Sequence, residues 1–300
     1  MRIKTTLEQW QTLFEIDKAG SIQAAALAMN KSHTTLIYAV KKLEDQLGVA
    51  VLEVRGRRAV LTDDGQSLLR RANAMLEQAR ELEDLSEQLA KGVESEIIVA
   101  VDHLCDLSWL YKPMSDYLAN NSTTSIQIVE TSLSKTNEMV VNEVADIAII
   151  NLPVTNYPAE AFGMTTMVPV VVNNHPLAQL ESVCLSELST VSQVVVRDLG
   201  NDVEASTKQD VGWLKSQQRV TVDNFEHAFK AVVQGVGYCR LPAHVVDEKG
   251  NGRLKVLNVE HSGQYQVPLH LTLPKGAKTG PAALCFYEML LSSASGRLQV

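Results

Sequence analysis

The chain has 300 residues, 45% of them hydrophobic, with 27 Lys and Arg against 35 Asp and Glu and only four cysteines. That length and apolar content suit one small and one larger core, hence two domains. A net charge of −8 argues against indiscriminate nucleic-acid binding, and a polar N-terminus without a bilayer-length apolar run argues against a signal peptide or membrane span, so the expected location is cytoplasmic.

In chain order, residues 6–19 carry Leu7, Trp10, Leu13, Phe14 and Ile16 at helical spacing. A second helix starts after Ser21 with Ile22, Ala25, Ala26 and Met29, and Asn30-Lys31 forms a turn. A third is capped by Ser32, buries Leu36, Val40, Leu43 and Leu47, and stops at Gly48. Its opposite face offers Thr34, Tyr38, Lys41 and Asp45, flanked by Thr35 and Lys42. Two short helices meeting at a tight turn form a device for entering a DNA groove, with the N-terminal part of the second meeting base edges. Val51, Leu52 and Val54, then Arg55-Gly56-Arg57-Arg58, then Val60 and Leu61 predict a wing whose arginines suit a phosphate backbone. Residues 1–60 hold nine Lys and Arg against six Asp and Glu, so the remainder carries net −11 and only the first segment favours phosphate.

From Thr62 a helical pattern runs to residue 90. Leu68, Met75, Leu82 and Leu89 fall seven apart, as do Gly65, Ala72, Ala79 and Ser86, which predicts a narrow seam for pairing two copies. The alternative is a helix packed on its own domain.

Residues 1–90 resemble the N-terminal half of the LysR-type transcriptional regulators. The resemblance rests on Gly20-Ser21-Ile22, Ala25-Ala26, Ser32, Leu36, Leu43-Glu44, Leu47-Gly48-Val49, Arg55-Gly56-Arg57, Leu61-Thr62 and Gly65, in register without a gap. It implies DNA contacts by Ser32, His33, Thr34, Thr35, Tyr38 and the wing residues Arg55, Arg57 and Arg58. The chain departs from the family pattern at His33-Thr34, where Gln-Pro is usual, at Ile37-Tyr38, where Ser-Arg is usual, and at Val54, commonly Arg. Tyr38 cannot clamp a guanine as Arg would, so the base preference should depart too.

Beyond residue 92, strand patterns at 96–101, 125–130, 146–150, 168–172, 193–197, 219–222, 237–241, 253–257 and 269–272 alternate with helices at 106–118, 134–144, 225–233 and 281–293. Such alternation predicts an α/β fold with largely parallel sheets. The family resemblance extends along it through Asp146-Ile147-Ala148-Ile149, His175-Pro176-Leu177-Ala178, Gly235-Val236-Gly237 with Leu241-Pro242, and Gly252-Arg253-Leu254. It implies an effector domain of periplasmic-binding-protein type with two crossover strands. The expected division is a winged helix-turn-helix over 1–61, a linker and dimerisation helix over 62–91, and an effector domain over 92–300. Within the last, one subdomain spans about 94–166 plus 271–293 and the other 167–270.

Ligands of open α/β sheets bind beyond the C-terminal strand ends. The candidate effector residues are therefore Asp102, His103, Leu104 and Cys105, then Thr131, Ser132 and Leu133, then Asn151, then Arg197 and Asp198, with Asn224 and Phe225 opening a helix. Thr131, Ser132 and Arg197 suggest an anionic ligand; alternatively the hydroxyls cap the next helix and Arg197 pairs with a surface acid. Cys105 beside His103 raises a redox-responsive regulator as an alternative, against the ordinary reading of a small buried hydrophobe. The four cysteines lack CxxC or zinc spacing, which suits a reducing compartment, and no P-loop, GxGxxG or GxSxG motif supports an enzyme or a cofactor. Promoter DNA, a small-molecule effector, a second copy of the chain in a homodimer or homotetramer, and RNA polymerase are the implied partners. A small-molecule-binding protein without a regulatory role stays open as the runner-up.

Overall fold

A computed structural model of the chain describes residues 3–55, 58–200, 214 and 216–297. Two compact units, Met1–Lys91 and Gly92–Val300, account for it.

The first unit begins with α1 (Leu7–Ala19), whose start is fixed by a reciprocal box in which Thr6 Oγ1 accepts from Gln9 N and the Gln9 side chain accepts from Thr6 N. α2 (Ile22–Ala28) is capped by Ser21, and α3 (His33–Leu47) by Ser32. Between them Asn30 takes a left-handed φ of 51°, a conformation Asn tolerates better than most residues. Gly48 closes α3 at φ 76°, where a Cβ would be strained. Strands β1 (Leu52–Arg55) and β2 (Arg58–Leu61) pair antiparallel, and α4 (Asp63–Ala90) follows, capped by Thr62. Leu13, Ile16, Ala25, Leu36, Leu43 and Val51 are almost completely buried together. Each of the larger ones contributes roughly 1.5–3 kcal/mol by leaving water. Glu44 ties the wing's root to α3, accepting from Val51 N at 2.8 Å and Leu52 N at 3.1 Å.

The long helix requires a correction. Its buried residues are Gly65, Leu69, Ala72 and Leu76, a 4, 3, 4 stripe that packs on the head's own core. Ala72, expected in a pairing seam, is therefore spent within the unit, and Leu68 is partly buried against the same core. Farther along, Met75 is 39%, Leu82 66% and Leu89 48% exposed, Ser86 is exposed and Ala79 is half-buried. One helix thus carries two apolar stripes: the sequence reading found the outer one and missed Leu69 and Leu76.

The second unit runs β3 (Glu96–Asp102), α5 (Ser108–Asn120), β4 (Ser125–Thr131), α6 (Leu133–Val141), β5 (Ile147–Ile150), β6 (Ala159–Val172), α7 (Leu185–Ser189), β7 (Gln193–Val196), β8 (Arg219–Val222), α8 (Phe225–Val233), β9 (Cys239–Pro242), α9 (Ala243–Lys249), β10 (Leu254–Val256), β11 (Tyr265–Thr272) and α10 (Pro281–Ala294). β3 pairs parallel with β4 and β5, and β7 with β8. Ile147, Ala148, Ile149 and Ile150 are buried on both faces, as a central strand covered on both sides demands.

The expectation of largely parallel sheets is only half right. β6 and β11 pair antiparallel along Tyr265–Thr272, with a bulge between Leu269 and His270. β11 also pairs antiparallel with β5, and β6 with β9 and β10. Both long strands cross between the subdomains, so each subdomain boundary falls inside a strand rather than in a loop. The expected strands at 168–172 and 269–272 are only their C-terminal portions. The missed half of β6 mixes Glu160 and Thr165 with apolar residues and shows neither strict alternation nor a continuous apolar run, whereas β11 alternates from Tyr265 to Leu271 but carries Pro268, which argues against a strand interior. α7 and α9 are too short to show a helical period. Among the described residues no helix is long and apolar enough to cross a membrane.

Candidate functional site

The DNA-facing candidates gather on one side of α3. Ser32, His33, Thr34, Thr35, Tyr38, Lys41 and Lys42 are all exposed, Tyr38 at 68%, while the opposite face is held in the core. Ser32 Oγ accepts from Thr35 N at 3.1 Å and lies 2.9 Å from Thr34 Oγ1 and 2.7 Å from Thr35 Oγ1. The three hydroxyls satisfy one another, and meeting a phosphate requires only an exchange of bonds. In the wing Arg55 sits directly opposite Arg58. Like charges in that position repel, and Glu53, 2.6 Å from Arg55, offsets part of the repulsion. An anion lying across both would offset the rest. Arg57 lies outside the described residues.

The second unit holds a cavity of about 270 Å³, lined both by residues that follow strands and by residues within them. Of the twelve candidates, His103, Leu104, Leu133, Asn151, Arg197 and Phe225 line it. The other six do not, and each has a partner or a burial that explains it. Asp102 is fully buried, accepting from Leu104 N at 3.0 Å and Thr136 Oγ1 at 3.4 Å. Thr131 Oγ1 accepts from Thr136 Oγ1 at 2.8 Å. Ser132 Oγ accepts from Leu199 N at 2.9 Å. Asp198 accepts from Ser134 N at 3.2 Å, beside the start of α6. Asn224 caps α8 through His227 N. Cys105 is 4% exposed, and burial pushes its thiol well above the usual range, which suppresses the thiolate a redox sensor needs.

The expected anion clasp of Thr131, Ser132 and Arg197 is therefore not assembled. Arg197 Nε donates to Asp223 Oδ1 at 2.6 Å with both side chains 56% exposed, the surface pairing foreseen as the alternative. Ser132 does not cap α6 with its side chain.

Leu152, Met167, Gln193, Val194, Val195, Val196, Cys239, Arg240, Tyr265 and Val267 also line the cavity and were not among the candidates. Most sit on strands rather than after them. The alternation of β9 carried the available signal: Arg240, 7% exposed, stands between Cys239 and Leu241 in a run that otherwise reads as core.

His103 in the wall and the buried Asp102 behind it have opposite electrostatics. Burial lowers His103 to about 4, against a weaker opposing pull from Asp198. Burial raises Asp102 to about 6 despite hydrogen bonds from Leu104, Leu133 and Thr136. For His103 the unfolded chain binds more protons between about pH 4 and 6.5, so its contribution to stability is lost as pH falls through that window. For Asp102 the native state binds more protons between about pH 4 and 6, so its contribution is lost as pH rises there. The two slopes oppose and nearly cancel. His103→Phe removes the His103 term and exposes the Asp102 slope: between pH 7 and pH 4 its stability relative to the parent should rise by about 3 kcal/mol. Urea unfolding at four pH values measures it, and a constant difference would refute the assignment.

Comparison with known proteins follows this division of the chain. The model described as bacterial regulatory helix-turn-helix protein, lysR family, matches residues 7–66, and the LysR substrate binding domain matches residues 90–295. A probable HTH-type transcriptional regulator of Escherichia coli K12, YhaJ, is 28% identical over 271 residues, covering 87% of this chain and 89% of that protein. The RuBisCO operon transcriptional regulator of Allochromatium vinosum is 24% identical, covering 97% of each. The crystal structure of full-length CbnR complexed with its target DNA shares the fold at a TM-score of 0.50 and 18% identity, over 97% of this chain and all of that one. With both of its units matched in order, one by a DNA-binding helix-turn-helix and the other by a substrate-binding domain, the chain belongs to the LysR family of transcriptional regulators.

Proposed function

We propose that two copies of this chain read a two-fold symmetric promoter site through α3 and the wing, and that a small molecule in the cleft of the second unit changes how tightly or with what spacing they do so. The observation that carries the reading is the exposed polar face from Ser32 to Lys42 on a helix whose other face is locked in a core. A helix held so rigidly presents its N-terminal side chains to a major groove at little entropic cost. Arg55 and Arg58 reach flanking phosphates, positioning without specifying. Leu82 and Leu89, large apolar residues exposed on an otherwise charged helix, supply the surface that joins two heads.

The cleft acts by binding rather than chemistry. His103 Nδ1 is buried without a partner, and the Asp102 carboxylate turns toward Leu104 N and Thr136. Asp102 and His103 thus form no acid–base dyad with each other.

A gel shift with DNA from upstream of the chain's own gene tests the reading. Binding should weaken steeply with salt, the logarithm of affinity falling linearly with that of salt concentration. Tyr38→Ala should cost about 1–3 kcal/mol on the specific site and much less on random DNA. Equal loss on both would make Tyr38 a backbone contact, and no shift with any genomic fragment at low salt would remove the reading altogether.

A further inference from the structure

We infer that the ligand of this cleft is a small carboxylate with an apolar body, its charge met by Arg240. This rests on the cleft being the effector site. Leu104, Val194, Phe225 and Val267 make most of the wall apolar, and the charged residues lining it are two arginines, Arg197 and Arg240, with no acid among the lining residues described. They differ in kind. Arg197 is neutralised by Asp223 and largely in water. Arg240 is 7% exposed and pairs with no carboxylate among the described residues. It donates to Gly263 O and Ser262 Oγ, both at 2.7 Å, and to Ser262 O, while its guanidinium carbon lies 5.2 Å from the centre of the Tyr265 ring.

Those carbonyl and hydroxyl partners satisfy hydrogens without compensating the charge, no described carboxylate does so either, and a buried cation without a counter-ion is costly. An anion entering the cavity beside it supplies the missing charge. A single unmatched guanidinium calls for a monoanion; a phosphate dianion would press surplus charge and oxygens against leucine and valine. At about 270 Å³ the cavity lies just under the range of roughly 300–1,000 Å³ typical of drug-sized ligands, which suits one ring or a short chain rather than a nucleotide.

Calorimetry on the full chain with benzoate and hexanoate, against their uncharged amides benzamide and hexanamide, tests the charge. The acids should bind at least about tenfold more tightly than the amides. Arg240→Gln should erase the preference and Arg240→Lys should keep most of it, so that loss of charge is told apart from loss of fold. Amides binding as well as acids, a preference surviving Arg240→Gln, or no binding by any of the four at roughly 10 mM would each overturn the inference. If the acids bind as expected but never alter the gel shift, the regulatory reading fails and the charge assignment stands. If the amides alter it as strongly as the acids do, the regulatory reading stands and this one fails.

Discussion

Leu82→Asp combined with Leu89→Asp should lower affinity for a two-fold DNA site by about 10²- to 10⁴-fold while leaving each head folded. The reason is geometric. Both side chains are exposed, at 66% and 48%, and neither belongs to the head's core, which ends along α4 at Leu76. The substitutions therefore remove nothing that holds α1, α2 and α3 together. On the proposed pairing, what they remove is the link that makes the second head's binding intramolecular, and effective concentration rather than any new contact supplies that factor. Fluorescence anisotropy on the full site and on a half-site separates the two terms: the half-site affinity should hardly move. Sedimentation should show a smaller species. A double variant that keeps both its mass in solution and its full-site affinity would mean that the second apolar stripe of α4 has another use.

The second large effect is expected at Gly65. An added Cβ would lie 2.2 Å from the carbonyl oxygen of Val51, a backbone atom that cannot rotate away. That carbonyl accepts from Thr62 N at 3.1 Å, and the amide of the same residue donates to Glu44, so Val51 is tied to α3 and to the start of α4 at once. Gly65→Ala improves helix propensity by about 1 kcal/mol in isolation. The clash should outweigh it, for a net loss of about 2–3 kcal/mol. Because the displaced atom lies at the root of the wing, DNA affinity should fall with stability. Thermal melting of the variant, with a gel shift on the folded fraction, measures both. An unchanged or raised melting temperature would contradict the close packing of α4 on the wing.

Much of the first unit is legible before any coordinates, because its helix ends are written in local chemistry. Thr6, Ser21, Ser32 and Thr62 each accept from a backbone N–H of the first turn, and Gly20 and Gly48 end their helices in the left-handed region. The course of α4 was legible and its partner was not. Leu69 and Leu76 lie one residue beyond Leu68 and Met75, and a periodic pattern marks an apolar face without saying whether a neighbour or a second copy covers it. In the second unit even mixed strands such as β4 and β8 were found, but the N-terminal halves of β6 and β11, interrupted by Gly163 and Pro268, were not. The cleft was half found for a related reason. The rule of strand ends located His103, Asn151 and Phe225, but which arginine keeps an unmatched charge depends on Asp223 standing by one and not by the other. That pairing is set by tertiary structure, not by spacing.

The two crossings between the subdomains are strands hydrogen-bonded to each other, not loops. Rotation of one subdomain against the other would therefore twist the ladder between β6 and β11, which carries an irregularity between Leu269 and His270 where β11 also begins to pair with β5. Paired strands should resist such a twist more than two loops would, so the displacement expected of the subdomains is small and graded.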